Sequence, residues 1–308
     1  MRVHDIAISR RHFLKATCTM SALMALRPHE LLAARPHLIN RTIPSSGEQL
    51  SVIGLGTYLT FSHDVRKQQL GEVMQAFFDH GGQLIDSSPM YGPAEGLVGD
   101  LLPTTKNTDG LFVATKVWID GKESGVAQMQ ESMQRMGVKM IDLMQIHNLR
   151  DWQAHIHTLR DWKAQGKIRY LGITTSHGYR HGEFEHVMKT EPLDFVQFSY
   201  NLVSRVAEQR LFPLAADRGI ATLINRPFQG GGMFRTVKGK LLPTWAAEFD
   251  CTSWAQFFLK FVVSHPNVTN VIPATSKPKH MVDNMGAGYG RLPDGKMRQR
   301  MIRHFESL

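Results

Sequence analysis

The chain has 308 residues, 42% hydrophobic and 20% charged, which suits a folded globular protein of one large domain or two small ones. No run approaches the ~20 consecutive apolar residues of a membrane-spanning helix. The net charge is +9, but no Lys/Arg stripe is interleaved with aromatics, which argues against nucleic acid as a partner.

In chain order, the first feature is Ser9-Arg10-Arg11-His12-Phe13-Leu14-Lys15. Position by position it resembles a twin-arginine export signal. The modestly apolar stretch Thr17–Leu26 that follows is too short for a stable membrane anchor. Residues 1–34 therefore read as a signal segment, with Ala33-Ala34 as the cleavage point. This implies the twin-arginine export machinery as a partner and a periplasmic or otherwise exported location. The alternative is a cytoplasmic protein whose basic amphipathic N-terminal helix packs on the fold. That export route carries proteins already folded, usually with a cofactor loaded. It fits a mature chain with Cys251 alone, because Cys18 lies in the signal.

Residues 35–48 read as a linker and residues 49–308 as a single domain. Its first strand spans Leu50 to Tyr58. Further strands end near Ser88, Trp118, His147, Thr175, Asn201, Phe228 and Thr275. Between them, helices show apolar residues at i, i+3 and i+4, as in Leu70, Val73, Met74, Phe77 and Phe78, or Phe257, Phe258, Phe261 and Val262. Eight strand–helix alternations predict an α/β (β/α)8 TIM barrel. Met297, Met301, Ile302, Phe305 and Leu308, with Arg298, Arg300 and Arg303 opposite, predict a C-terminal helix packed on the barrel wall.

Three ionisable residues recur at an even period. Asp86 and Lys116 are 30 apart (86 to 116), and Lys116 and His147 are 31 apart (116 to 147). Each closes an apolar run, and Tyr91 follows Asp86 by five positions. A parallel barrel gathers the C-terminal ends of its strands at one rim, so these four groups meet there. An ammonium beside a phenol favours the phenolate and lowers its pKa. A carboxylate makes the buried ammonium tolerable, and a histidine beside the phenol can hydrogen-bond the same substrate oxygen. The set suits proton delivery to a carbonyl oxygen. His155 and His157 are two apart on a helix, on different faces, and no metal site is expected. Tyr58, Phe61, Trp118 and Phe228 are candidate pocket walls. The sequence assigns no oligomeric state.

With these residues in view, the chain resembles the aldo-keto reductase superfamily over about residues 45–290, through the runs IGLGTY, LIDSSPMYGPAE, FVATKVW, DLMQIHN, YLGITT, VQFSYN and VIPATSKPKHMVDNMGA. The resemblance implies an Asp86–Tyr91–Lys116–His147 tetrad that reduces an aldehyde or ketone to an alcohol, or the reverse, by hydride transfer. It implies NADPH as cofactor, with NADH as the second choice, bound without a Rossmann fold. It places Thr174, Thr175 and Gln197 at the carboxamide, and Tyr200 stacked on the nicotinamide. Arg226, Phe228 and Gly230 fall on a phosphate-binding loop. Thr275, Lys277, His280 and Asn284 fall at the adenosine end. The rival reading is a nucleotide-binding sensor or regulatory module on the same barrel, without significant turnover. The small-molecule carbonyl substrate itself is not legible.

Overall fold

The computed structural model describes residues 37–308; the signal segment read over residues 1–34 lies outside them. The first element is a hairpin. β1 (Asn40–Thr42) pairs antiparallel with β2 (Gln49–Ser51), so residues expected to be linker carry a strand. Ile43 and Leu50 of this hairpin are buried with Leu84, Phe112, Tyr170, Phe195 and Ala221, which lie at or near the starts of barrel strands. The hairpin thus plugs the N-terminal mouth of the barrel, leaving the other mouth for chemistry.

The expected strand Leu50–Tyr58 is accordingly split. Its first residues belong to the hairpin, and only Leu55–Gly56 form β3 of the barrel. The others follow as β4 (Leu84–Asp86), β5 (Phe112–Val117), β6 (Ile141–Ile146), β7 (Ile168–Thr174), β8 (Phe195–Ser199), β9 (Ala221–Asn225) and β10 (Asn270–Val271). All pair in parallel with their sequence neighbours. Parallel bridges Ile53↔Val271 and Gly56↔Ala274 close the ring. Closure needs glycine. A Cβ on Gly54 would lie 2.7 Å from Asn270 Oδ1, and one on Gly56 2.9 Å from the Ile272 carbonyl. Each strand stops a little before its expected end, Val117 against Trp118 and Val271 against Thr275 being the range. The residues beyond turn outward into loops at the rim.

Helices cover the barrel: α1 (Lys67–Asp79), α2 (Ala94–Leu101), α3 (Lys122–Met136), α4 (Trp152–Ala164), α5 (His181–Thr190), α6 (Leu211–Asp217), α7 (Gly232–Thr236), α8 (Trp254–Val263), α9 (Pro278–Gly286) and α10 (Gly295–Glu306). The periodic apolar faces predicted for α1 and α8 are buried. Ser253 and Asp294 cap α8 and α10 by accepting from Gln256 N and Met297 N. In α10, Met301, Ile302 and Phe305 are buried as expected. Arg298, expected opposite them, turns inward to pair with Glu208 at 2.7 Å. Among the described residues no helix is long and apolar enough to cross a membrane.

Along β5 the side chains alternate. Phe112 and Ala114 join the inner cluster, while Val113 and Val117 join the layer under the helices. Lys116 continues the inner row. The same rule aims Asp86 of β4 and Gln197 of β8 into the barrel.

Candidate active site

At the C-terminal mouth lies a cavity of about 460 Å³, lined by residues from all round the barrel, including Asp86, Tyr91 and His147. Beneath the cavity lining Lys116, fully buried, donates from Nζ to Asp86 Oδ2 at 2.6 Å and to the Ser87 carbonyl at 2.6 Å. Its ammonium lies 4.9 Å from the Tyr91 ring centroid. Tyr91 ends a single turn, Pro89–Tyr91, capped by the Ser88 hydroxyl, which accepts from Met90 N. The His147 ring meets Tyr91 edge-on, with centroids 5.8 Å apart. Ser88 Oγ lies 3.0 Å from His147 Nδ1. The four residues predicted from spacing therefore come together.

Their electrostatics follow from burial. Desolvation pushes the Tyr91 phenol above its ordinary value, and the Lys116 charge only partly offsets it. The expected lowering is thus outweighed by burial at the cavity floor. Burial alone would lower Lys116, but Asp86 and Tyr91 more than reverse this and hold it as the ammonium. His147 is pushed down to about 2, by burial and then by Lys116, so it is a neutral imidazole.

Asp86 Oδ1 accepts from Gln145 Nε2 at 3.1 Å and Gln197 Nε2 at 3.0 Å. The network continues through Asn225, whose Nδ2 donates to Gln197 Oε1 and to the Thr175 carbonyl, and whose Oδ1 accepts from Ser199 Oγ at 2.6 Å. Gln145, Ser199 and Asn225 were not singled out in the sequence. Their signal was present: each is an even number of residues from a neighbour on the inner row of its strand.

Of the expected cofactor residues, Thr174, Gln197, Arg226, Phe228 and Gly230 line the cavity, joined by Ser176, His177 and Asn225. Two do not. The Thr175 hydroxyl donates to the Tyr179 carbonyl and sits outside the cavity lining. Tyr200 is fully buried on the helix side, against Phe212 and Phe261, with its hydroxyl bonded to Glu208 and Arg298. It cannot stack on a ligand in the cavity. Its odd offset from Gln197 puts it on the opposite face of the chain. Thr275, Lys277, His280 and Asn284 gather at and beyond the start of α9, outside the cavity lining. Thr275 Oγ1 accepts from Lys277 N at 3.1 Å, and Asn284 is buried in α9. Tyr58 and Phe228 are pocket walls; Phe61 is core, and Trp118 flanks His147 with centroids 6.3 Å apart.

A closed parallel barrel with this constellation at its C-terminal rim is the architecture of one broad class of oxidoreductases. The chain belongs to the aldo/keto reductase family, whose profile matches residues 52–300. Aldo-keto reductase YhdN of Bacillus subtilis (strain 168) is 29% identical over 201 residues, 59% of this chain and 60% of that protein. The chain thus spans only about three-fifths of that relative's length. NADH-specific methylglyoxal reductase of Escherichia coli (strain K12) is 25% identical over 231 residues, 63% of this chain and 68% of that protein. Among solved structures, an aldo-keto reductase from Klebsiella pneumoniae in complex with NADPH superposes with a TM-score of 0.73 at 23% identity, covering 87% of this chain and 95% of that one. At that identity the likeness establishes the fold.

Proposed function

We propose that this protein reduces an aldehyde or ketone with NAD(P)H, Tyr91 giving the proton to the carbonyl oxygen. The observation that carries the reading is the buried Lys116–Asp86 pair against the Tyr91 ring, with neutral His147 edge-on, at the floor of an open cavity. The reduced nicotinamide, when bound, supplies the hydride. The residues present fit such a group. Gln197 and Asn225 put amides on the cavity wall. Gln229, Gly230 and Gly231 all have positive φ, a turn that gathers backbone N–H groups for phosphate. The Arg226 guanidinium lies 3.6 Å from where a Gly230 Cβ would stand, so it curls over that turn. At the far end, Lys277 is the charge we assign to a 2′-phosphate, which favours NADPH. Burial and the neighbouring lysines hold His280 below the usual histidine range, leaving it neutral there.

Within this scheme Lys116 and Asp86 hold a fixed positive charge beneath the phenol. The charge stabilises the phenolate left after proton transfer. His147 orients the carbonyl by a hydrogen bond. Tyr91→Phe should retain NADPH affinity and lose about 10²- to 10⁴-fold in kcat, the usual share of a positioned acid. An unchanged kcat in that variant would sink the proposal.

The motif Ser9–Lys15 supports the further reading that the chain is exported through the twin-arginine route. Replacing both Arg10 and Arg11 by Lys should leave the protein in the cytoplasm of its host. Unaltered fractionation would refute the export reading.

A further inference from the structure

Ser88 stands between the two groups placed at the substrate oxygen, and its single hydroxyl hydrogen decides how one of them is presented. The side chain is fully buried. Its Oγ has two neighbours among the described residues: Met90 N at 3.2 Å and His147 Nδ1 at 3.0 Å. A hydroxyl has one hydrogen to give and two lone pairs to receive with. The Met90 N–H can only donate, so it takes one lone pair. If His147 Nδ1 also carried a hydrogen, it would take the other, and the buried Ser88 hydrogen would point at no acceptor among the described residues. An orphaned buried donor costs about 1–3 kcal/mol. If instead Ser88 donates to a bare Nδ1, every group is satisfied. Neutral imidazole carries one hydrogen, which then sits on Nε2. Among the described residues Nε2 has no hydrogen-bond partner, and it is not one of the buried polar atoms left without one. It is the ring nitrogen left for the cavity that His147 lines.

We propose that Ser88 is a positioning residue that locks His147 as the Nε2–H tautomer, so that the imidazole offers a hydrogen to the carbonyl oxygen that Tyr91 protonates. The catalytic consequence rests on the reductase reading; the tautomer does not. Without the lock, a neutral ring could equally turn a bare nitrogen toward the carbonyl, where two lone pairs repel. The same oxygen caps the turn ending in Tyr91, so one atom sets the register of the proton donor and of the group beside it.

The test is 15N NMR of the full chain with labelled histidine, His147 being assigned by the signal lost in His147→Asn. Expected near neutral pH are a bare Nδ1 and a protonated Nε2. Ser88→Ala should give a mixture of tautomers. It should also lower kcat by about 10- to 100-fold, the effect of removing the partner that fixes a functional histidine's second nitrogen, with NADPH affinity unchanged. Ser88→Thr keeps the hydroxyl and should restore both the tautomer and most of the rate. A protonated Nδ1 in the wild type overturns the proposal. So does a Ser88→Ala protein that loses turnover with the tautomer intact, which would leave Ser88 a cap and nothing more. If no carbonyl compound is reduced at all, the reductase reading falls while the NMR still decides the tautomer.

Discussion

Tyr91 shows how burial and charge compete at one atom. Near the surface, a lysine ammonium beside a phenol would lower its pKa. Here desolvation acts first and carries the value above 10. The proposed proton donor therefore keeps its proton through the ordinary range of a phenol. His147, held at about 2, has no charge to lose or gain near neutrality. On the proposed mechanism, reduction should then show no titration near 6.5 from His147, and its proton donor should stay loaded through the ordinary phenol range. The measurement is kcat for carbonyl reduction between pH 5.5 and 10.5. A step of one proton near 6.5 that vanishes in His147→Asn would show that the imidazole is not buried as described. Asp86, Lys116 and His147 were legible because each ends an apolar run at a regular period. Ser88 was not. A serine after an aspartate looks like turn chemistry until the fold brings His147, 59 positions later, against it.

At the level of elements, β8 shows why a motif match needs the strand's alternation. Gln197 and Ser199 face the barrel interior, so Phe198 and Tyr200 face the helices. The tyrosine expected to stack on a nicotinamide instead docks α10. Arg298 donates to its hydroxyl at 2.5 Å and to Glu208 at 2.7 Å, and its guanidinium lies 4.2 Å from the Phe261 ring centroid. Tyr200→Phe should leave NADPH affinity and kcat unchanged. It should cost about 1 kcal/mol of stability, the net worth of a typical hydrogen bond, read from urea unfolding. A large rise in the nucleotide Kd would restore the stacking role. The loop after β6 carries a different load. Asn148, Leu149 and Asp151 all have positive φ within five residues of His147. Arg180 Nη1 holds the Asn148 and Leu149 carbonyls at 3.2 and 2.9 Å. Strain of this kind persists only where surrounding bonds over-determine it.

For the whole molecule, the decisive event is closure of the first strand on the last. Gly54 N donates to the Val271 carbonyl at 2.8 Å and Gly56 N to the Pro273 carbonyl at 3.0 Å. The approach leaves no room for a Cβ at Gly56. Gly56→Ala must shift backbone to fit, and should destabilise by about 1–3 kcal/mol, as overpacking of a well-packed interior does. Equilibrium unfolding in urea measures it. Undiminished stability would mean that the seam between β3 and β10 is looser than the structure shows.

The sequence alone determined the repeat of strand and helix, the apolar faces of α1 and α8, and the regular spacing of Asp86, Lys116 and His147. Each of these is written in the order of residues along the chain, as apolar periodicity within a segment or as the repeat of one segment after another. Tertiary structure alone decided what depends on residues far apart in the chain. It placed the hairpin under the barrel, turned Arg298 inward and assigned Tyr200 to the helix layer. It also gathered Gln145, Ser199 and Asn225 around Asp86, and set burial above charge at Tyr91. Hydrogen-bond partners and desolvation belong to the assembled barrel, because neither exists until distant strands exclude water together.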